Sequence, residues 1–411
     1  MRRLLVYTQY FYPEVASLGQ LMSELFINLQ HEFDITVICA VPNYTGQIDE
    51  HYKKKLLHFE SFNNINIIRV KVPEVNKEKK LSRIFNILSF FFNSIIATFK
   101  SGPQDVIFVT SQPPILAGIL GIFGKKIKRA KLVYNIQDFN PEQTEAINYV
   151  KSGIVFSIAR YLDKLSCRKS DLVILVGHDM QKTLENRFKT RKVPANAVVN
   201  NWVNEKDIYP LPKTHFEIEK FKEENGLDSK FIIMYSGNIG LYYDLENIIK
   251  IADKFKNNDD VHFVFIGEGA VKKQLVDYCK DHRLDNVSFL PYQPKDKLIY
   301  SLNAADVHLV TNQKGIKGIS VPSKIYGVMA VGKPVIGVLE EGSEARLLIE
   351  DSGCGICVEP QDYDGIVNAI NELYAKREQL PVIGMRGREY LEKHCSMESS
   401  INKYKQLLLN I

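Results

Sequence analysis

Short apolar, largely β-branched runs recur along the whole chain, and between them the apolar positions move to helical spacing. In the first half the pattern predicts strands over 4–8, 35–40, 65–70, 106–110, 132–136, 172–176 and 197–201, with a helix over 20–29. In the second half it predicts strands over 231–236, 262–266, 287–290, 307–310, 334–338 and 355–358. Strands that are apolar throughout and alternate with helices build parallel sheets covered on both faces. A chain of 411 residues exceeds what one ordinary core holds. The expected fold class is therefore α/β, with two Rossmann-like, doubly wound domains facing a cleft. The Pro- and Lys-rich stretch 205–225, with Pro210 and Pro212, is the expected boundary. It separates domains 1–205 and 206–395. A tail over 396–411, with Ile401, Tyr404, Leu407, Leu408 and Ile411 at helical spacing, is expected to pack back on the first domain.

Several function classes are excluded early. The net charge is only +5, and no aromatic-interleaved basic stripe is present, so a nucleic-acid partner is not expected. Of the six cysteines, only Cys354 and Cys357 have metal or redox spacing, and a structural zinc site needs a second pair. That cysteine usage fits a reducing cytoplasm. The N-terminal MRRLLVYTQYFYPE has too short an apolar run for a signal peptide and reads as a first strand. No Ser-His-Asp spacing, GxSxG elbow or HExxH is found, and Gly267-Glu268-Gly269 lacks the Lys and Ser or Thr of a P-loop.

One helical stretch is unusual. Residues 84–99 carry no charge, and Ser82, Asn86, Ser89 and Asn93 fall in one narrow stripe. The remaining surface is apolar, including Phe85, Phe91, Phe92 and Phe99. Lys77, Lys79, Lys80, Arg83 and Lys100 flank it, and a second basic cluster spans Lys125, Lys126, Lys128, Arg129 and Lys131. Two readings stand: a helix lying on an anionic membrane surface, or one packed between the sheet and its neighbours.

The candidate ligand groups gather at strand ends, where α/β sheets bind ligands. The stretch VPSKIYGVMAVGKPVIGV places Ser320 and Lys324 at the start of a helix that Gly332 ends. A lysine in a first helical turn is unfavourable unless an anion sits there; the other reading is an ordinary surface lysine. Gly237, Asn238 and Gly240 in YSGNIG, Glu268 in FIGEG, and Tyr292 in LPYQP follow successive strands of the same sheet. In the first half, Gly19 in PEVASLGQ opens a helix. Asp138 and Glu142 in NIQDFNPE are either a general base for an acceptor hydroxyl or acids capping a helix near Pro141.

Together, YTQYFYPEVASLGQ, YNIQDFNPE, VVNNWVN, YSGNIG, FIGEG, LPYQP and PSKIYGVMAVGKPVI resemble the GT-B glycosyltransferases, and within them the GT4 type. The chain is most similar to bacterial surface-polysaccharide transferases of the WbuB type, which resemble N-acetyl-L-fucosaminyl transferases of O-antigen assembly. The resemblance implies a UDP-sugar donor, a lipid-linked acceptor of undecaprenyl type and an enzyme peripheral on the inner face of the cell membrane. No DxD-type metal site is evident, so transfer without a metal cofactor is expected. The family's two glutamates, eight positions apart, fall here on Ile319 and Gly327, so neither role carries over. Asn238 stands where the family usually has an arginine. Inversion and retention both stay open. So do two other functions, a GT-B-shaped UDP-sugar epimerase and a non-catalytic nucleotide-sugar-binding subunit.

Overall fold

A computed structural model describes residues 1–14, 16–43, 46–75, 80–146, 153–189 and 192–411. They form two compact units, Met1–Asn200 with Ser400–Ile411, and Asn201–Ser399.

The first unit holds an eight-stranded sheet: β1 (Arg2–Tyr7), β2 (Phe33–Ala40), β3 (Leu57–Phe62), β4 (Ile65–Val70), β5 (Val106–Thr110), β6 (Lys131–Ile136), β7 (Leu172–Leu175) and β8 (Asn196–Val198). Its strand order is β3-β4-β2-β1-β5-β6-β7-β8. The pairing is parallel except between β3 and β4. Leu4, Leu5 and Val6 of β1 have no exposed surface, because helices cover both faces of the sheet. The sequence pattern does not show β3: as an edge strand with a half-exposed face it has no apolar run. The helices are α1 (Ser17–Leu29), α2 (Glu50–Lys53), α3 (Lys80–Lys100), α4 (Leu116–Lys128), α5 (Asn140–Ala146), α6 (Gly153–Lys169) and α7 (His178–Arg187). Residues 400–411 also pack here. Asn135 Nδ2 donates to the Tyr404 hydroxyl at 2.9 Å, and the Arg2 guanidinium donates to the carbonyls of Leu408 and Leu409.

The second unit holds a six-stranded parallel sheet: β9 (Phe231–Ser236), β10 (Val261–Ile266), β11 (Val287–Leu290), β12 (Val307–Thr311), β13 (Val335–Val338) and β14 (Gly355–Val358). The order is β11-β10-β9-β12-β13-β14, so the winding reverses between β9 and β12. Its helices are α8 (Phe216–Glu224), α9 (Leu245–Ile248), α10 (Lys272–His282), α11 (Leu298–Ala304), α12 (Lys324–Ala330), α13 (Glu344–Ser352), α14 (Tyr363–Ala375) and α15 (Leu380–His394); α16 (Met397–Asn410) closes the chain and belongs from Ser400 on to the first unit. One face packs Ile233, Phe263, Phe265, Leu309 and Ile336 into a core. On the other face Ile218 and Phe221 of α8 join Ile232, Met234 and Val264. Helix α8 lies in the stretch expected to be linker. It forms because Ile218 and Phe221 share one face and the His215 ring accepts from the Glu217 N–H at 3.2 Å.

Candidate active site

The second unit's winding reversal brings the ends of β9 and β12 side by side, the place where ligands sit in such sheets. The turn after β9 turns on Gly237, whose φ of 146° favours glycine, and its N–H donates to the Ile266 carbonyl at 2.9 Å. The turn after β10 nests against it. A Cβ on Gly267 would lie 1.9 Å from the Gly237 carbonyl oxygen. The Ile239 N–H donates to the Glu268 carbonyl at 2.9 Å, and Gly240 leaves room for the Asn238 side chain. The Glu268 carboxylate is exposed and pairs with Lys272 at 2.7 Å. The Tyr292 hydroxyl donates to the Glu268 carbonyl at 3.3 Å, and its half-exposed ring borders Gly267. Ser320 is half-buried in the segment that leads to α12.

Lys324 is the first residue of α12. Its Nζ lies 3.7 Å from the centre of the Tyr235 ring and 4.1 Å from that of Tyr243. Its Cε approaches within 3.5 Å of where a Gly237 Cβ would be. The ammonium is buried and makes no hydrogen bond. Burial alone pushes its pKa well below the ordinary lysine value. The two ring faces stabilise the cation in part. A buried cation without a counter-charge is costly, so in this setting burial favours the neutral amine. The Tyr235 hydroxyl donates to the Asn238 carbonyl at 2.7 Å, coupling the lysine's seat to the glycine turn. Tyr243 lies outside the sequence motifs, and Tyr235 enters them only as the first residue of YSGNIG. Tyr235 sits inside an apolar strand run and reads there as core. Gly327, one helical turn on from Lys324, faces open space: a Cβ would meet only Leu302 Cδ1, at 3.7 Å.

In the first unit Gly19 lies in the first turn of α1. A Cβ there would stand 3.1 Å from Tyr10 Cβ, so the glycine lets the loop after β1 close over the helix start. Ser23 Oγ fastens that loop, accepting from the Tyr12 N–H at 3.0 Å. Asp138 follows β6 and is half-buried. Its N–H and that of Gln137 donate to Ser111 Oγ, and its Oδ1 accepts from Gln143 Nε2 at 3.5 Å. Glu142 is engaged on both oxygens by the buried Arg187, by Nε at 3.0 Å and by Nη2. Arg187 also meets Asp163 at 2.5 Å and lies 3.9 Å over the Phe139 ring, while Asp163 accepts from Tyr134 at 2.9 Å. Burial disfavours the guanidinium charge, but Asp163 and Glu142 more than offset this and raise its pKa. Glu142 thus ties α5 to Arg187 of α7.

Helix α3 is long and apolar enough to cross a membrane by length and composition. Its polar stripe points inward. Asn86 donates to the Pro73 carbonyl at 2.7 Å and accepts from Gln9, Asn93 donates to the Lys71 carbonyl at 2.7 Å, and Ser82 donates to that of Glu74. Phe85, Phe92 and Phe99 point outward. Phe91 differs from the expectation. It is only 8% exposed and packs on Phe123 of α4, because it falls on the sheet side of the helix. Lys77 and Lys79 of the flanking cluster, and Val15 of the first loop, lie outside the described residues.

All six cysteines are free thiols, and among the described residues no three His, Cys, Asp or Glu side chains gather to hold a metal. Asp362 and Asp364 have DxD spacing. Asp362 caps α14, accepting from the Gly365 N–H at 2.9 Å, and Asp364 pairs with Lys254 at 2.6 Å.

Residues 217–390 match the family model described as glycosyl transferases group 1. The probable glycosyltransferase WbjE of Pseudomonas aeruginosa is 27% identical over 98% of this chain and 97% of its own length. A protein of Escherichia coli named for colanic acid biosynthesis, the glycosyl transferase WcaI, is 26% identical over 98% of each chain. The structure of HepE from Anabaena, solved with UDP and glucose, covers all of both chains with a TM-score of 0.73 at 15% identity. The chain is a glycosyltransferase with a GT-B fold, related to bacterial sugar-transfer enzymes. That class replaces the epimerase and binding-subunit readings.

Proposed function

We propose that the protein transfers a sugar from a UDP-sugar to a lipid-linked saccharide of undecaprenyl type, in the cytoplasm at the inner face of the cell membrane. The process is assembly of a surface polysaccharide such as O-antigen, and the WbuB-type resemblance favours N-acetyl-L-fucosamine as the sugar. The observation that carries the donor assignment is the partnerless Lys324 ammonium over Tyr235 and Tyr243. UDP bound to HepE, and the biosynthetic role in the name of WcaI, support the same reading.

In this reading Lys324, Ser320 and the Gly237–Gly240 turn receive the diphosphate, with Glu268 and Tyr292 beside the sugar nucleotide. An acceptor oxygen forms a bond to the anomeric carbon as the bond from that carbon to the β-phosphate oxygen breaks. The electron pair leaves with UDP. Lys324 offsets the charge that develops there, the kind of stabilisation that is usually the largest catalytic contribution. No metal is assigned to the step. Asp138 accepts the acceptor's proton. Attack opposite the leaving group inverts the anomeric centre, and attack from its side retains it. The exposed face of α3, with Phe85, Phe92 and Phe99, rests on an anionic membrane and presents the lipid acceptor.

The test supplies radiolabelled UDP-sugars and an undecaprenyl-diphosphate-linked saccharide. Label entering the organic phase only when this protein is present supports the reading. Label that stays in the aqueous phase with every donor, in protein shown to be folded, rejects it.

A further inference from the structure

Helix α6 has an outward apolar face that the sequence does not advertise. Ile154, Val155, Ile158 and Tyr161 are each between 55% and 76% exposed. Their spacing of one, three and three residues puts them on one side of the helix. Single exposed apolar residues are ordinary, but four on one helical face mark an interaction surface. The opposite side buries Asp163, Ser166 and Cys167. Helix α6 thus repeats the inversion seen in α3, with polar groups turned to the protein and apolar groups turned to solvent.

Its charges point to the partner. Arg168 and Lys169 are exposed near its end and Lys164 is half-exposed, while its acid, Asp163, is buried against Arg187. Helix α4 packs against both α3 and α6, and it exposes Phe123, Lys126 and its capping residue Arg129. An apolar face with cationic flanks is complementary to an anionic bilayer.

We propose that α6 is a second leg of the membrane footprint, so that the first domain rests on an anionic bilayer through two helices that flank α4. Ile154, Val155, Ile158 and Tyr161 enter the acyl boundary, and Lys164, Arg168 and Lys169 lie among the headgroups. This rests on the membrane reading of α3 and adds a consequence for catalysis. Arg160 joins α6 to Glu142 and Glu145 of α5, and α5 begins two residues after Asp138. Docking through α6 therefore holds the Asp138 loop at the bilayer surface, where the hydroxyl of a lipid-linked acceptor is presented.

The test uses the full chain with tryptophan placed by Ile158→Trp or by Phe92→Trp. The native Trp202 is buried and supplies a constant background. Vesicles are phosphatidylcholine with or without phosphatidylglycerol, and some carry brominated acyl chains. With anionic vesicles both variants should shift emission to the blue and be quenched by the brominated lipid. Quenching at residue 92 without quenching at 158 overturns the α6 footprint and leaves α3 standing. Quenching at neither position overturns both. As a second measurement, Ile158→Glu should lower partitioning onto anionic vesicles at least tenfold with an unchanged Tm in solution. Wild-type partitioning of that variant also overturns the proposal.

Discussion

The Lys324 ammonium lies against the face of Tyr235, 3.7 Å from the ring centre, and has no hydrogen-bond partner. The arrangement is costly for an empty protein and favourable for one holding a diphosphate. Lys324→Met should therefore lower transfer at least tenfold and raise stability near neutral pH. The sign follows from proton counts. Burial depresses the folded-state pKa, so between that value and about 10.5 the unfolded chain holds a proton that the folded chain lacks. Wild-type stability then rises with pH across this window. The advantage of the Met variant shrinks as pH rises through this window toward 10.5. Urea unfolding at several pH values measures it; a pH-independent difference contradicts it.

Two glycines of the second unit should respond in opposite directions. A Cβ at Gly267 would stand 1.9 Å from a backbone oxygen, at a φ of 142°. Gly267→Ala should cost at least about 2 kcal/mol and weaken UDP binding with it. At Gly327 the nearest atom is a Leu302 methyl at 3.7 Å, within a helix. Gly327→Ala should stabilise by about 0.5–1 kcal/mol. Calorimetry on the pair separates them, and a fall in Tm for Gly327→Ala means that the open space is needed.

Asp138 and Glu142 lie four positions apart but should behave differently. Asp138→Asn should reduce kcat by about 10²–10⁴ at nearly constant Tm, as expected for loss of a general base. Arg187→Met leaves Glu142 and Asp163 without their shared cation, and should cost about 3–5 kcal/mol. Glu142→Gln should lower Tm with a smaller effect on kcat than Asp138→Asn. If the kcat losses rank the other way, Glu142 is the base.

His308 is buried with Nε2 2.9 Å from the Leu302 carbonyl, so this nitrogen carries the proton and donates. Burial pushes its pKa down to about 4 from 6.5. Between those values the unfolded chain binds the extra proton, so stability falls as pH drops from 6.5 toward 4. His308→Gln should flatten that slope whatever its absolute stability. An identical slope in both proteins removes His308 from the acid response.

The strands were legible because both faces of each inner strand are buried, which leaves a continuous apolar run. The half-exposed edge strand β3 has no such run. Helix α8 was hidden behind the prolines and lysines around it, although Ile218 and Phe221 already carried the spacing. At the site, the glycine turns and Lys324 announce themselves through residue type. The seat of Lys324 does not, since Tyr235 looks like any core aromatic of a strand. The role of Glu142 depends on Arg187, 45 residues away in the chain. The direction in which Phe91 and Phe92 point depends on which side of α3 meets the sheet, and apolarity alone does not encode that.

The central claim is that the diphosphate of a uridine nucleotide completes the Lys324 site. Isothermal titration of UDP into the wild type and Lys324→Met, at mildly alkaline pH and in buffers of different ionisation enthalpy, tests it most directly. The account predicts that the wild type takes up a proton on binding UDP, and that the variant binds at least tenfold more weakly with no such uptake. Equal affinity in the two proteins, with no difference in proton uptake, would contradict it.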